Sequence, residues 1–326
     1  MNTNNQKMGL CRQGFGEGLK EAAEKNDNIV GLCCDLTIST KMDIFRTAFP
    51  ERFIEMGVAE QNMIGVASGL AMEGKVPFCA SYAVFAPGRC WDQIRVSAAY
   101  QKLNIKIIGA HAGLSVGPDG ATHQALEDIS SLRAIPNLTI LAPCDYHETK
   151  KATLKMAEYA GPVYMRIPRE ETPILTDKND SYEIGKAYTI YKPIGESKTV
   201  IIGAGPILNE AIEASKALEK SHNIGITIIN SHTIKPLDKK TILESVKGKN
   251  IIFTIEEHQQ IGGLFGAVSE LMAQENPIKI VQIGVNDSFG ESGKPEELMV
   301  KYGLTRTFIY KKIINLISKV KNQISN

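Results

Sequence analysis

One loop carries the residues whose types and spacing are best suited to chemistry. Residues 110–123 bring two imidazoles, His111 and His123, together with the Asp119 carboxylate and hydroxyl groups among several glycines. Glycines let the backbone come close to a ligand, and these side chains supply hydrogen-bond donors and acceptors. A lone loop histidine is usually solvated. The combination at one strand end instead predicts a site for a polyhydroxylated substrate.

A second candidate segment is Gly57-Val-Ala-Glu60-Gln-Asn62. Apolar residues at intervals of three and four from Met63 to Ala71 predict a buried helix that begins at Glu60. A carboxylate in the first turn of a helix can accept from free backbone N–H groups, which gives Glu60 a purely structural interpretation. Tyr82 and Phe85 follow another predicted strand, where they either pack in the core or stack on a planar ligand.

Two segments of the second half resemble ligand motifs only weakly. Gly203-Ala-Gly205 lacks a third glycine at the right offset, so we expect a strand-to-helix turn without a nucleotide. Glu256-Glu257-His258 precedes two glycines at a predicted strand end, where we expect a solvated turn. Neither segment has metal-ligand spacing, and no H-E-x-x-H motif or cysteine quartet occurs. The sequence therefore predicts no metal ligand in this chain.

The elements that position these residues alternate between strand and helix. Strands are predicted at 29–34, 53–56, 76–80, 105–109, 138–141, 163–166, 199–205, 224–229, 251–255 and 279–283. Helices are predicted at 10–26, 40–48, 89–103, 145–159, 207–220, 238–246 and 305–319, besides the helix at Glu60. This alternation predicts an α/β fold with two doubly wound, mainly parallel domains, residues 1–172 and 198–326, joined by a polar linker at 173–197.

Composition describes a globular protein with a sizeable core. The 326 residues are 43% hydrophobic and 22% charged, and the formal net charge of +1 does not indicate nucleic acid or an anionic membrane as a partner. The six cysteines form no C-x-x-C pair and several lie in apolar runs, so we expect buried, reduced thiols. With neither a signal peptide nor a run of about 20 apolar residues, a cytoplasmic location is expected.

Five blocks of sequence, in family order, resemble the C-terminal part of transketolases, which are related to deoxyxylulose-phosphate synthases. They are Asp35-Leu-Thr-Ile-Ser39, Gly57-Val-Ala-Glu60-Gln, Tyr82 to Phe85, His111 through Gly-Pro-Asp-Gly-Ala-Thr-His123-Gln, and Arg166-Ile-Pro-Arg169. The resemblance covers nearly the whole chain. It implies a pyrimidine-binding domain followed by a C-terminal domain of the transketolase type.

The resemblance implies thiamine diphosphate as cofactor. In such enzymes a glutamate in the position of Glu60 hydrogen-bonds a ring nitrogen of the aminopyrimidine, which favours the tautomer that deprotonates the thiazolium carbon. Tyr82 matches the aromatic residue that stacks on the pyrimidine, and Phe85 lies nearby. Asp35 matches an acid close to the thiazolium, and its neighbour Leu36 is placed with the cofactor-binding residues.

The resemblance also assigns the substrate-binding residues. His111 and His123 match residues that bind the donor ketose near its carbonyl and first hydroxyl, and both are counted as catalytic with Glu60. Asp119 matches a residue that senses the next hydroxyl. The positions that hold the substrate phosphate are matched by Arg169, Ser39 and Arg12. The deoxyxylulose-phosphate synthases used for comparison carry an arginine at the position that matches His111, so the histidine favours a transketolase-type donor site.

One departure from the family concerns the diphosphate and Mg²⁺. Complete transketolases bind both through Gly-Asp-Gly followed at a distance by Asn, whereas this chain has no Gly-Asp-Gly. We therefore expect one subunit of a split transketolase. A separate N-terminal subunit would bring the diphosphate and metal site, in an α₂β₂ assembly with the cofactor between unlike chains.

Three alternatives to a transketolase acting on sugar phosphates stay open. A transketolase-type enzyme for a branched or sulfonated sugar would use the same cofactor, and Arg169 and Ser39 could bind either anion. A deoxyxylulose-phosphate-synthase-like enzyme is a second alternative. A non-catalytic paralogue that binds a sugar phosphate is a third, and the joint presence of Glu60, Tyr82, His111 and His123 speaks against it.

Overall fold

Two mainly parallel β-sheets, each flanked by helices, form the chain, as the alternating sequence pattern predicts. The computed structural model describes the backbone of residues 6–324 and the side chains through residue 317. No described helix combines the length and apolar character that crossing a bilayer requires. All six cysteines are buried and free, in agreement with the expectation of buried thiols.

The first sheet has seven strands and carries the candidate loops at its carboxyl edge. In spatial order the strands are Thr233–Lys235, Thr139–Leu141, Val163–Arg166, Lys106–Ala110, Val76–Tyr82, Ile29–Cys33 and Phe53–Glu55. Neighbouring strands are parallel except where Thr233–Lys235 pairs with Thr139–Leu141. Ile29–Cys33 and Lys106–Ala110 are buried at every position, as expected for strands covered by helices on both faces.

Helices cover both faces of this sheet. The α-helices are Cys11–Lys25, Thr37–Thr40, Asp43–Ala48, Glu60–Met72, Trp91–Gln93, Asp128–Arg133 and Tyr146–Glu158. A π-helical segment, Ile94–Tyr100, continues Trp91–Gln93, and short 3₁₀ helices form at Pro50–Arg52, Gly88–Cys90 and Leu114–Asp119. The last of these lies inside the candidate loop at 110–123, so that loop has a defined backbone of its own.

The second sheet has five strands. In spatial order they are Lys279–Val285, Ile251–Gln259, Ser197–Gly203, Gly225–Asn230 and the antiparallel Tyr188–Tyr191. Its helices are Leu208–His222, Lys239–Ser245, Leu264–Glu275, Pro295–Lys301 and Arg306–Ile324. A separate pair of short antiparallel strands joins Met8–Leu10 to Glu171–Pro173.

Several elements differ from the sequence predictions, among them the helices Asp128–Arg133 and Pro295–Lys301, and three others show how the two halves of the chain pack. The strand Thr233–Lys235 adds to the first sheet although it belongs to the second half of the chain. Tyr188–Tyr191, placed within the linker at 173–197, forms the edge of the second sheet. The helix Leu264–Glu275 was not predicted, and its first N–H groups are satisfied by the Glu256 carboxylate rather than by a local cap. All three depend on contacts between distant segments.

Close packing of two helices shows how strongly the first domain constrains its sequence. Cys11–Lys25 packs against Tyr146–Glu158, with Gly14 and Gly18 at the contact. A Cβ atom at Gly14 would overlap the carbonyl oxygen of Tyr146, and one at Gly18 would lie 2.9 Å from the carbonyl oxygen of Lys150. Glycine therefore permits the close approach of the two backbones.

We expect Gly14→Ala to lower the free energy of unfolding by about 1–3 kcal/mol, because the added methyl group overpacks the helix contact. Gly69→Ala is the matched control, since no described atom outside its own helix lies within 4 Å of the added Cβ. Removing a helical glycine there should stabilise the chain by about 0.5–1 kcal/mol. Urea denaturation measures both. A Gly14→Ala protein as stable as the wild type would contradict the packing.

Candidate active site

Four aromatic and imidazole rings gather where two neighbouring strands end. The Tyr82 and His111 rings are stacked with centroids 4.0 Å apart, and Tyr82 and Phe85 lie 6.0 Å apart at a shallow angle. His123 meets Phe85 edge-on at 5.3 Å. Tyr82 ends the strand Val76–Tyr82, and the paired strand ends at Ala110, just before His111. The register of the sheet thus brings together rings that are far apart in sequence.

His111 is held in an unusual environment. Its backbone is left-handed, with φ of 57°, and its side chain is only 2% exposed. Burial, assisted by the positive charges of Arg12 and Arg169 and by His123, lowers the pKa of His111 to about 3. The ring is therefore neutral at physiological pH. Its buried Nδ1 has no hydrogen-bond partner among the described residues.

Glu60 begins the helix Glu60–Met72 and is 2% exposed. Its carboxyl group accepts from the Ser81 hydroxyl at 2.9 Å and from Arg89 Nη1 at 3.2 Å. Arg89 is about half exposed, and its guanidinium also lies 3.8 Å from the centre of the Phe85 ring. Ser81 and Arg89 therefore connect Glu60 with the ring cluster. A cavity of about 670 Å³ opens beside Glu60.

A second glutamate, Glu55, holds the two loops that follow the neighbouring strands Ile29–Cys33 and Phe53–Glu55. Glu55 Oε1 accepts from the backbone N–H of Asp35 at 2.7 Å and of Gly57 at 3.1 Å, while Oε2 accepts from the Thr37 hydroxyl at 2.9 Å. Asp35 and Gly57 both have left-handed backbones, with φ of 56° and 65°. One carboxylate thus holds the two turns that lead to Asp35 and to Glu60.

Three of the residues predicted to bind phosphate lie in the same region. Arg12 Nη1 donates to the Ser39 carbonyl oxygen at 2.9 Å, and its buried Nε has no partner among the described residues. Arg169 Nη1 donates to the Val116 carbonyl oxygen at 2.7 Å and lies 3.6 Å from Asp119 Oδ1. The positive charges of both arginines contribute to the low pKa of His111.

The remaining predicted residues take supporting positions. Leu36 is partly buried and packs against the core on one face of the first sheet. Asp119 is exposed at the end of the 3₁₀ helix Leu114–Asp119. His123 Nδ1 lies 2.9 Å from the Thr122 hydroxyl. The structure thus brings the predicted residues to a single edge of the first sheet.

The acids of the second domain do not form the solvated turn that the sequence suggests. Glu256-Glu257-His258 belong to the strand Ile251–Gln259, and Glu256 and His258 are buried. Glu256 accepts from the backbone N–H groups of Leu264 and Phe265. His258 Nε2 accepts from the Ser130 N–H of the first domain at 3.3 Å. Partners supplied by distant segments make burial of these polar groups tolerable.

The residues present fit the pyrimidine side of thiamine diphosphate. A buried carboxyl group, stacked aromatic rings and unpaired buried nitrogens on His111 and Arg12 suit a planar heterocycle next to a polar ligand. No cluster of three or more His, Cys, Asp or Glu side chains that could hold a metal ion occurs within residues 6–317.

Sequence reasoning missed Ser81, Arg89 and Glu55. Ser81 directly precedes Tyr82, but its role depends on the hydrogen bond from its hydroxyl to Glu60, which lies on a different element. Glu55 ends a predicted strand two residues before Gly57, and an acid beside a left-handed glycine is a usable signal. Arg89 is identified only by its contacts with Glu60 and Phe85, for which the sequence gives no spacing rule.

The low pKa of His111 predicts a pH-dependent stability. The ring titrates near 6.5 when unfolded and about 3 when folded, so the unfolded chain binds more protons between these values and stability falls as pH falls. From pH 7 to pH 5 this loss is about 2 kcal/mol. We expect His111→Asn, which tolerates the left-handed backbone, to lose about 2 kcal/mol less over that range. Urea unfolding at both pH values measures it.

The exposed residue His222 provides the control for that measurement. His222→Asn should keep the pH dependence of the wild type. If His111→Asn also keeps it, His111 does not carry the shifted titration.

Family models match both parts of the chain. Residues 10–174 match the transketolase pyrimidine-binding domain, and residues 190–309 match the transketolase C-terminal domain. A solved structure titled "Split gene transketolase, inactive beta4 tetramer" superposes with a TM-score of 0.86 at 41% identity, covering 94% of this chain and 97% of that one. Transketolase from Campylobacter jejuni superposes with a TM-score of 0.82 at 23% identity, which shows the shared fold.

Curated relatives agree with these matches. A "Putative transketolase C-terminal section" of Methanocaldococcus jannaschii is 46% identical over 94% of this chain and 96% of its own length. The "6-deoxy-6-sulfo-D-fructose transketolase subunit SqwH" of Clostridium sp. is 37% identical over 90% of each chain. Human transketolase is 38% identical over 94% of this chain but only 49% of its own length. This chain belongs to the transketolase family and corresponds to its pyrimidine-binding and C-terminal domains.

Proposed function

We propose that this chain is the C-terminal subunit of a split, thiamine-diphosphate-dependent transketolase. It transfers a two-carbon ketol unit from a ketose phosphate to an aldose phosphate. The observation that carries the proposal is the connection from buried Glu60, through Arg89, to the ring cluster of Tyr82, Phe85 and the histidines. An acid, a stacking surface and substrate-binding imidazoles then serve one site.

Glu60 binds and orients the aminopyrimidine of the cofactor. Each carboxylate oxygen has two lone pairs, so Glu60 can accept from Ser81 and Arg89 and still meet a ring nitrogen. Thiamine diphosphate, when bound, supplies the electron sink that ketol transfer needs. Tyr82 and Phe85 provide apolar ring faces for the pyrimidine, while Asp35 and Leu36 line the thiazolium side. Glu55 keeps Asp35 in place through its backbone N–H.

The donor sugar is bound by the loop at 110–123 and the two arginines. Neutral His111 can accept from a sugar hydroxyl with one ring nitrogen and donate with the other, and His123 faces the same ring cluster. Both contact the donor near its carbonyl and first hydroxyl, which makes them catalytic. Asp119 accepts from a further hydroxyl. Arg12, Arg169 and Ser39 hold the phosphate, and the charge of the two arginines favours an anion.

A partner subunit completes the site. Large apolar side chains are exposed beside Glu60, at the far end of the helix Glu60–Met72 and within residues 91–100, which is unusual for a surface that faces water. They are Val58, Met72, Trp91, Val96 and Tyr100. Two relatives carry names of a transketolase section and a split-gene transketolase, and the chain covers nearly their full length. We infer an N-terminal subunit that binds the diphosphate and Mg²⁺, in an α₂β₂ assembly.

A second candidate function is transfer from a sulfonated ketose. The relative named for 6-deoxy-6-sulfo-D-fructose is 37% identical over 90% of this chain. A sulfonate and a phosphate both present several oxygens to a guanidinium, so Arg169 and Arg12 suit either anion. The two candidates differ only in the donor substrate. Comparing kcat/KM for the two donors therefore decides between them.

We expect this chain alone to show no ketol transfer with thiamine diphosphate and Mg²⁺. Adding an N-terminal subunit that carries Gly-Asp-Gly should restore turnover and yield a hetero-oligomer by mass measurement. The assay pairs an aldose phosphate with either a ketose phosphate or a 6-sulfonated ketose, and the higher kcat/KM identifies the donor. Robust turnover by the chain alone would overturn the split-enzyme proposal, and no turnover by the assembled complex with either donor would overturn the activity.

We expect Glu60→Gln to lower kcat of the assembled enzyme by about 10²–10⁴-fold, because the amide cannot hold and release a proton in the same way. Assembly and unfolding free energy should change little, since the amide keeps the size of the side chain. Glu51→Gln, on an exposed 3₁₀ turn, is the control and should retain full turnover. Turnover of Glu60→Gln within twofold of the wild type would remove Glu60 from the mechanism.

A further inference from the structure

The donor loop is built from backbone that needs outside support. His111, Gly113, Gly117 and Gly120 all have positive φ, at 57°, 90°, 75° and 73°. Inside the loop, the 3₁₀ helix Leu114–Asp119 and the turn bonds at Gly120 satisfy part of the backbone. Glycine at three of these positions leaves the backbone free to take other conformations, so the segments that pack against the loop contribute to its geometry.

Glu257 of the second domain supports one side of this loop. Its Oε1 accepts from the Ser115 backbone N–H at 2.7 Å, across 142 positions of sequence. A Cβ atom at Gly113 would clash with the same carboxyl group, so Glu257 lies directly against the loop backbone. Burial raises the pKa of Glu257, while the Ser115 N–H and the charge of Arg166 act in the opposite direction. The group is thus placed there at an electrostatic cost.

The contact with Ser115 is adjacent to groups proposed to bind the donor. The next residue, Val116, offers its carbonyl oxygen to Arg169 Nη1 at 2.7 Å. Arg169 in turn lies 3.6 Å from Asp119. A shift of the Ser115 peptide therefore moves the acceptor that orients Arg169. A change at Glu257 is thus transmitted to Arg169 in two steps, first to the Ser115 peptide and then to the Val116 carbonyl oxygen.

A second segment of the same domain closes the other side. Gln124 Nε2 donates to the carbonyl oxygens of Leu114 and of Glu291, at 3.2 and 3.0 Å. A Cβ atom at Gly117 would lie 3.0 Å from Pro295, and one at Gly120 would lie 2.5 Å from the Ser292 hydroxyl oxygen. The donor loop is therefore held between the first sheet and two segments of the C-terminal domain.

We propose that Glu257 is a positioning residue for the donor site, through which the C-terminal domain fixes the loop at 110–123 and sets affinity for the donor sugar. This inference rests on the proposed function for its consequence in the reaction. The positioning of the loop itself rests only on the contacts of Glu257 with Ser115 and Gly113. The C-terminal domain thereby acts on the site through the loop backbone.

The chain offers a matched control for this role. Glu270 of the second domain forms a two-point ion pair with Arg133 of the first domain, with Arg133 Nη1 donating to Glu270 Oε2 at 2.8 Å. This pair also joins the domains, but neither residue contacts the donor loop. Glu270→Ala therefore removes another interdomain carboxylate contact, in this case an ion pair at the surface, while leaving the loop supported.

The test combines hydrogen exchange on the full chain with kinetics of the assembled enzyme. In Glu257→Ala we expect amide exchange in peptides that cover residues 111–123 to become at least about tenfold faster, since a loop amide loses its acceptor. The KM for the donor should rise about tenfold, with kcat changed less than about threefold, because ground-state positioning is weakened. The KM for the acceptor should stay the same. Glu270→Ala should match the wild type in all four measurements.

Glu257→Gln keeps an oxygen that can accept from Ser115 and should restore most of the loop protection. It also keeps the proposal testable if Glu257→Ala does not fold. Wild-type exchange at 111–123 in both Glu257 variants, or an equal rise in donor KM for Glu270→Ala, would overturn the role of Glu257. If the wild-type complex shows no ketol transfer, the proposed function fails, while the exchange measurement still decides whether Glu257 positions the loop.

Discussion

Carboxylates that accept hydrogen bonds from backbone N–H groups hold the functional loops at the carboxyl edge of the first sheet. Glu55 accepts from Asp35 and Gly57, and Glu257 accepts from Ser115. Charge-assisted bonds of this kind are stronger than neutral ones, and they suit loops whose left-handed backbones leave N–H groups without regular partners. The rest of the site depends on them, because the side chains that would meet cofactor and sugar sit on those loops.

The order of strands and helices could be predicted where local pattern decides it. Buried apolar runs such as Ile29–Cys33 and the apolar spacing after Glu60 specify their own secondary structure. Thr233–Lys235 and Tyr188–Tyr191 could not be found in this way. Each is a short antiparallel strand at the edge of a sheet, and its pairing is decided by a partner strand far away in sequence.

The sequence indicates which loops meet at the edge of the first sheet, whereas the contacts that hold these loops follow only from the fold. The loop at 110–123 can be recognised from the sequence because its glycines, histidines and aspartate are concentrated in one segment. Glu257 gives no such signal, since its acceptor role exists only once the second domain packs on Ser115. The same holds for Arg89, whose two partners lie at the ends of different elements. Spacing along the chain contains no information on these contacts.

Glu60 differs from the other carboxylates in a way that bears on its role. A helix-start acid is expected to turn back on its own helix and accept from free backbone N–H groups. Glu60 instead accepts from two side chains, Ser81 and Arg89, and among the described residues no backbone N–H is bonded to it. The buried carboxyl group of Glu60 therefore does not point toward the free N–H groups of its own helix. This direction, toward Arg89 and an open cavity, supports the proposed contact of Glu60 with a ligand rather than a role in stabilising its own helix.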